Sequence, residues 1–328
     1  MDIRRFAIIF GLAISTYFLI LAWNDDYGQA AVANAPIAQN SAIEVGDSPA
    51  AGDIIAAGQS SDNNSDIPNV VPAALEPEVQ AAASTQLIQV KTDVLNVTIN
   101  PLGGEIVEVS LPAYPADISD KSIPFVLMEN NARRVYVAQS GLLDAKGKQW
   151  EKTQAYSASQ VNYQLDESAD TLMVELSTQL DNVEVKKVFT FQRNNYLIDV
   201  KYQVANGSDS QWRGVFFAQL KRDRSEDPQQ GSSMGMQAYL GPAITTNLSK
   251  YEKVSFDDID DKRLAETVDG GWVAMLQHYF VSAWVANPDI SHSVYAKPNK
   301  QGEYIVCFHD GKTPLQVAAG ETGTVGAP

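Results

Sequence analysis

The chain has 328 residues, 45% of them hydrophobic, with 40 Asp and Glu against 24 Lys and Arg and a net charge of −16. Phosphate binding needs clustered positive charge, so this balance argues against a nucleic-acid partner and against adhesion of the soluble part to anionic lipid. One cysteine cannot form an internal disulfide, and three histidines leave few ligands for a metal centre.

The first feature in chain order is an apolar run from Phe6 to Trp23, placed directly after Arg4 and Arg5. A helix rises about 1.5 Å per residue, so this run nearly matches the roughly 30 Å hydrocarbon core of a bilayer. Its strong apolar residues contribute about −0.3 to −0.6 kcal/mol each to insertion. Arg4 and Arg5 are retained on the cytoplasmic side, while Trp23 and Tyr27 suit the opposite interface. The expected order is therefore a cytoplasmic tip at 1–5 and a transmembrane helix at 6–23, with the bulk of the chain in the periplasm. A cleaved signal peptide is the competing reading, since Ala31-Val32-Ala33 satisfies the small-x-small rule. The apolar stretch is longer than an ordinary signal core, however, and Asp25, Asp26 and Tyr27 separate it from those alanines.

Residues 24–85 are dominated by Ala, Asn, Ser, Pro, Gln and Asp, with no aromatic after Tyr27. Such a segment cannot bury enough apolar surface to offset its ordering entropy, and it reads as a disordered periplasmic linker. Its task is to hold the next domain near the membrane while leaving it free to reorient.

From residue 86 to 328 the pattern changes to short β-branched and aromatic runs with a period of two. Leu95, Val97 and Ile99 alternate with polar residues, Asn100-Pro101-Leu102-Gly103-Gly104 turns the chain, and Val107, Val109 and Leu111 alternate again. This is a hairpin by its alternation and its turn chemistry. Val183 to Phe191, Tyr196 to Ala205 and Trp212 to Leu220 continue the series, punctuated by Asp181-Asn182, Arg193-Asn194-Asn195 and Asn206-Gly207. Regular strands joined by short turns imply an antiparallel sandwich rather than βαβ units. One helix is expected, capped by Ser255, with Asp257 and Asp258 in its first turn, closing through Leu264 to Val268 before Gly270-Gly271. The cluster Asp257, Asp258, Asp260 and Asp261 lacks the glycine and closing glutamate of a calcium loop, so it reads as a capped helix start.

The chemistry-bearing residues form no recognisable set. His278, His292 and His309 have no metal-like spacing, and the sequence holds no nucleophile elbow, phosphate loop or dinucleotide fingerprint. No catalytic residue, metal site or cofactor is expected. His278, within an aromatic stretch, reads as structural, and Cys307 reads as a buried strand residue. Lys221, Arg222 and Arg224 are answered by Asp223, Glu226 and Asp227, which is the pattern of a solvated loop carrying both signs, or of a docking surface for a partner protein.

Several separated stretches, in order, resemble one family. They are Met1 to Arg5, Trp23 to Ala30, Val90 to Leu95 leading to Gly103-Gly104, Leu111 to Pro115, Ala138 to Leu142, Gln219 to Arg222 and Gly270 to Phe280. Together they resemble the YidC membrane protein insertases of Gram-negative bacteria. The resemblance implies an all-β, galactose mutarotase-like β-supersandwich with a short helix or two, standing in the periplasm behind the anchor and linker. It implies a role in inserting and folding nascent inner-membrane proteins, alone or beside the Sec translocon. The implied partners are the accessory subunits SecF and SecD, the SecYEG channel and the lipid bilayer. A SecF-facing stretch would run approximately from Phe217 to Lys262, taking in Lys221, Tyr251, Lys253 and Phe256. The family's five further transmembrane helices would follow Pro328, so the chain is expected to carry the anchor and accessory domain without the insertase core. A membrane-anchored sugar-binding or mutarotase-like enzyme is the alternative from another class, and a periplasmic holdase a third reading. Proton transfer at an anomeric centre would want a positioned acid and base.

Overall fold

The computed structural model describes residues 86–117, 119–144, 149, 155–226 and 238–328. The expected anchor, with Arg4, Arg5, Phe6 and Trp23, and the expected linker lie outside the described residues. Among those described, no helix is long and apolar enough to cross a membrane.

The fold is nearly all strand, and it begins with the hairpin the alternation calls for. Strand β1 (Ile88–Lys91) pairs with β2 (Asn96–Asn100), and β2 pairs with β3 (Glu105–Asp117), placing Val97 opposite Val109. Gly103 and Gly104 take φ of 77° and 62°, which glycine adopts without steric penalty. Gly104 has a second constraint, because a Cβ there would come within 2.8 Å of Lys187 Cδ. Strands β4 (Asp120–Asn130) and β5 (Val135–Leu143) extend the meander. Among the described residues one strand pairing is parallel, that of β1 with β7 (Asn162–Gln164).

A second sheet is built from β6 (Ser157–Ala158), β8 (Thr171–Leu180), β9 (Val183–Gln192), β10 (Ile198–Asn206) and β20 (Thr322–Ala327), in the order β20-β10-β9-β8-β6. The turn residues Asp181 and Asn194 sit at φ of 51° and 54°, the left-handed region that Asp and Asn tolerate best among residues with side chains. Strand β11 (Trp212–Arg222) returns to the large sheet, between β5 and β18 (Tyr304–His309). That sheet is closed at its far side by β17 (Ser291–Pro298) and β14 (Leu264–Asp269), while β19 (Leu315–Val317) pairs with the start of β11. A third sheet has the order β13-β12-β15-β16, made of β13 (Glu252–Lys253), β12 (Gly241–Ile244), β15 (Trp272–Leu276) and β16 (Val281–Val285). One continuous apolar core joins the three sheets, with Val97, Phe125 and Phe216 from the large one, Val185, Phe189 and Tyr202 from the second, and Val273 and Trp284 from the third.

The helix is shorter than the sequence predicts. Helix α1 covers Phe256–Asp261, with Phe256 and Ile259 buried. Ser255 Oγ accepts from Asp258 N at 3.1 Å and Asp258 Oδ2 accepts from Ser255 N at 2.8 Å, a reciprocal cap with aspartate in the glutamate position. Lys262 then turns extended, and Leu264 to Val268 is strand rather than helix, because β17 offers it a full ladder from Leu264↔Ala296 to Asp269↔Ser291. Tertiary pairing overrides local propensity here.

Candidate functional site

A cleft of about 430 Å³ opens on one face of the large sheet. Its floor comes from β3 to β5 and β11, through side chains such as Val109, Met128 and Leu220, with Leu95 just ahead of β2. One wall is the entry to β10, at Tyr196 to Ile198, and the other is β16. The β15–β16 hairpin is closed by Gln277 N donating to Phe280 O at 2.8 Å. Trp284 fastens β16 to the floor, its indole N–H donating to Gln219 O at 3.0 Å. Phe280 stacks on Phe125 with centroids 4.5 Å apart and meets Tyr114 edge-on at 5.3 Å, and Tyr114 lies 6.2 Å from Tyr196. Tyr114, Tyr196, Leu197, Val281 and Val285 are exposed at the rim, so the apolar surface continues outside the cleft.

The chemistry of this cleft is that of a binding surface. Its hydrogen-bonding side chains are Tyr114, Tyr196, Ser282 and Trp284, whose indole is already bonded to Gln219 O, with no Asp, Glu or His among the described lining residues. Partial desolvation against the cleft, aided by the neighbouring Tyr114, raises the Tyr196 phenol above its ordinary value.

The residues expected to dock a partner fall in two places. Lys221, near the end of β11, pairs with Glu303 at 3.0 Å with both side chains largely covered. Phe256 is buried against Tyr304 with centroids 4.5 Å apart. The two meet through β18, whose Tyr304 pairs with Arg222. Tyr251 and Lys253 lie instead at the edge of the third sheet, Tyr251 half exposed beside Trp272 and Lys253 Nζ 4.9 Å above the Tyr239 ring. Only these two present open surface.

The solvated basic loop is replaced by a strand end. Strand β11 runs to Arg222 because β5 and β18 both pair with it to that point, at Tyr136 and Tyr304. Arg222 is 0% exposed, its guanidinium 5.1 Å from the Tyr136 ring, donating to Asp223 O at 3.1 Å and Ser225 O at 2.8 Å. Arg224 binds the helix start instead, through Asp257 at 2.8 Å and through Asp260. That is the work of two members of the acidic cluster. The fully buried inward series Ala218, Leu220, Arg222 was readable as alternation, had the charge been discounted.

The histidines separate by environment. His278 is exposed and stacks on Tyr279 at 4.0 Å, at the surface rather than in a core. His292 is fully buried, with Nδ1 2.6 Å from Asp310 Oδ1 and Nε2 2.8 Å from Asn287 O. Burial alone would push this imidazole down, but the hydrogen bonds to Asp310 and Asn287 and the negative charges of Asp310 and Asp269 outweigh it, and its pKa is raised. His309, also buried, is pushed down to about 4 by burial and by the neighbouring His292. No sequence spacing signals the His292–Asp310 pair, since strand β18 separates its members.

A family model described as the YidC periplasmic domain matches residues 87–328. Membrane protein insertase YidC of Azotobacter vinelandii is 42% identical over 98% of this chain and 57% of its own length. The protein of that name in Stutzerimonas stutzeri is 41% identical over the same shares. The chain thus spans a little over half the length of these curated relatives. Among solved structures it is similar to a galactose mutarotase related enzyme from Lactobacillus acidophilus, with 11% identity, a TM-score of 0.45, and 74% of this chain and 96% of that one covered.

Proposed function

The chain belongs to the YidC periplasmic-domain family, and from that premise we propose that it is the anchor and periplasmic accessory part of a membrane protein insertase. In this reading residues 6–23 cross the bacterial inner membrane with Arg4 and Arg5 on the cytoplasmic side. The linker then suspends the β-domain in the periplasm, where it assists the insertion and folding of nascent inner-membrane proteins. The observation that carries the reading is the family match across the whole folded body, residues 87–328. The aromatic-rimmed apolar cleft agrees with it, because segments bound for a bilayer are themselves apolar. The proposed translocon partners are SecF first, then SecD and SecYEG, docked on the side of the domain that carries Tyr251 and Lys253, while Lys221 and Phe256 hold the β11–β18 region in shape.

Placing a photo-crosslinking residue at Tyr251 in inner membranes that contain the Sec complex is expected to yield an adduct with SecF. The same residue at Met173, 62% exposed on β8, should give none and serves as the control. Equal adducts at both positions would remove the docking assignment. Protease added to intact spheroplasts should shave off the β-domain. A protected domain would remove the periplasmic assignment itself.

A further inference from the structure

Strand β16 is an edge strand without the devices that usually blunt an edge. Its sequence, Val281-Ser282-Ala283-Trp284-Val285, has no charge and no proline, and its ladder with β15 runs without a bulge. Native sheets protect such edges with charges, prolines, bulges or very short strands. The other sheet ends, β20 excepted, follow that rule. Strands β6, β7 and β13 have two, three and two residues, and β14 carries Glu266 and Asp269. Strand β20 is uncharged, and just beyond it Pro328 O takes up Val285 N at 2.9 Å.

That last bond fixes which way the β16 backbone points. In an antiparallel pair, alternate residues turn their N–H and C=O away from the partner strand. Val285 points outward, so Ala283 and Val281 do as well. All five β16 residues line the cleft, and among the described residues β15 is the only strand β16 pairs with. The side chain between these outward positions adds a second observation: Ser282 Oγ is buried with no hydrogen-bond partner among the described residues. A helix satisfies its own backbone and an acyl chain has no polar groups to offer. An extended peptide supplies both donors and acceptors at strand spacing.

We propose that the β16 edge receives an extended stretch of polypeptide by strand addition. Its backbone pairs with Val281 and Ala283, and its alternate apolar side chains enter the cleft over Val109, Met128 and Leu220. The occupant is an unfolded apolar segment of another protein. This inference rests on the accessory-domain reading for its biological setting but is decided by a separate measurement.

The test uses the full chain in lipid nanodiscs and a fluorescent nine-residue peptide of alternating Val and Thr, followed by polarisation. The peptide is expected to bind, and a counterpart with identical side chains but every amide N-methylated should bind at least tenfold more weakly, because it cannot donate to the edge. Val281→Lys, which sets a charge on an exposed rim position, should weaken the parent peptide by a similar factor. Ala283→Pro, which removes one outward N–H, should do the same. Equal binding of the two peptides to the unaltered chain would overturn strand addition, since the cleft would then recognise apolar surface alone. Failure of the parent peptide to bind would overturn it too, while protease shaving of spheroplasts would still decide the accessory-domain reading.

Discussion

Replacing Asp310 with Ala is expected to lower the stability of the β-domain by about 3 kcal/mol at pH 6, and by clearly less at pH 9. The magnitude follows from removing one partner of a buried charged pair, which typically costs about 3 to 5 kcal/mol, reduced here because the orphaned imidazole can shed its proton. The pH dependence follows from geometry. Both ring nitrogens of His292 face acceptors, the Asp310 carboxylate and the Asn287 carbonyl, so the site is fully bonded only when the pair holds one proton beyond neutral imidazole and carboxylate. The folded pKa of His292 lies above its ordinary 6.5. The contribution is therefore complete below about pH 6.5 and lost as pH rises through the folded value. His309 has the opposite sign. Held down to about 4, it costs stability as pH falls below 6.5 towards that value. Urea unfolding of both proteins between pH 5 and 9 measures the effect, and a gap that stays constant across that range would refute the assignment of the extra proton. The other titratable groups that act at this site are Asp269, at the end of β14, and His309.

Trp284→Ala is expected to cost about 3 to 5 kcal/mol, the range for a large aromatic lost from a packed core. In a domain of this size that is a fall of roughly 10 °C in Tm. Trp284 is 5% exposed and its indole N–H is bonded to Gln219 O, so the change opens a cavity and strands a buried carbonyl together. Trp284→Phe keeps most of the volume and loses only the hydrogen bond, so it should cost about 1 to 2 kcal/mol. Thermal unfolding of the two variants separates packing from bonding. Loss of the wall should also abolish peptide binding in Trp284→Ala, because β16 is fastened to the floor at that residue.

Much of the fold is legible from alternation and turn chemistry. The β2–β3 hairpin, strands β9 to β11 and the buried Cys307 strand all follow from residues two apart and from Gly, Asn and Asp at the corners. The helix was legible at its start, where Ser255 and Asp258 signal locally. Its end was not, because Leu264 to Val268 becomes strand through a partner, β17, some 30 residues further along the chain. The same limit hid Arg222. A charge at a strand end reads as solvated until β5 and β18 are known to enclose it. The cleft itself has no sequence signature at all. Its walls come from β10 and β16, which belong to different sheets, and only their common placement over the large sheet brings Tyr196 near Phe280. Exposure of Tyr251 and burial of Phe256 were hidden for the same reason, since both depend on sheets assembled from distant segments.

Cys307 is fully buried and burial pushes its thiol up to about 12, so almost no thiolate exists in the folded domain at neutral pH. As the sole sulfhydryl of the chain, it offers a built-in clock. A maleimide added in excess can react only when the strand between β11 and β17 comes free, and the labelling rate then counts the large openings of the body one molecule at a time. The same shielding keeps the protein from being trapped by stray disulfide exchange during any time it spends among oxidising enzymes.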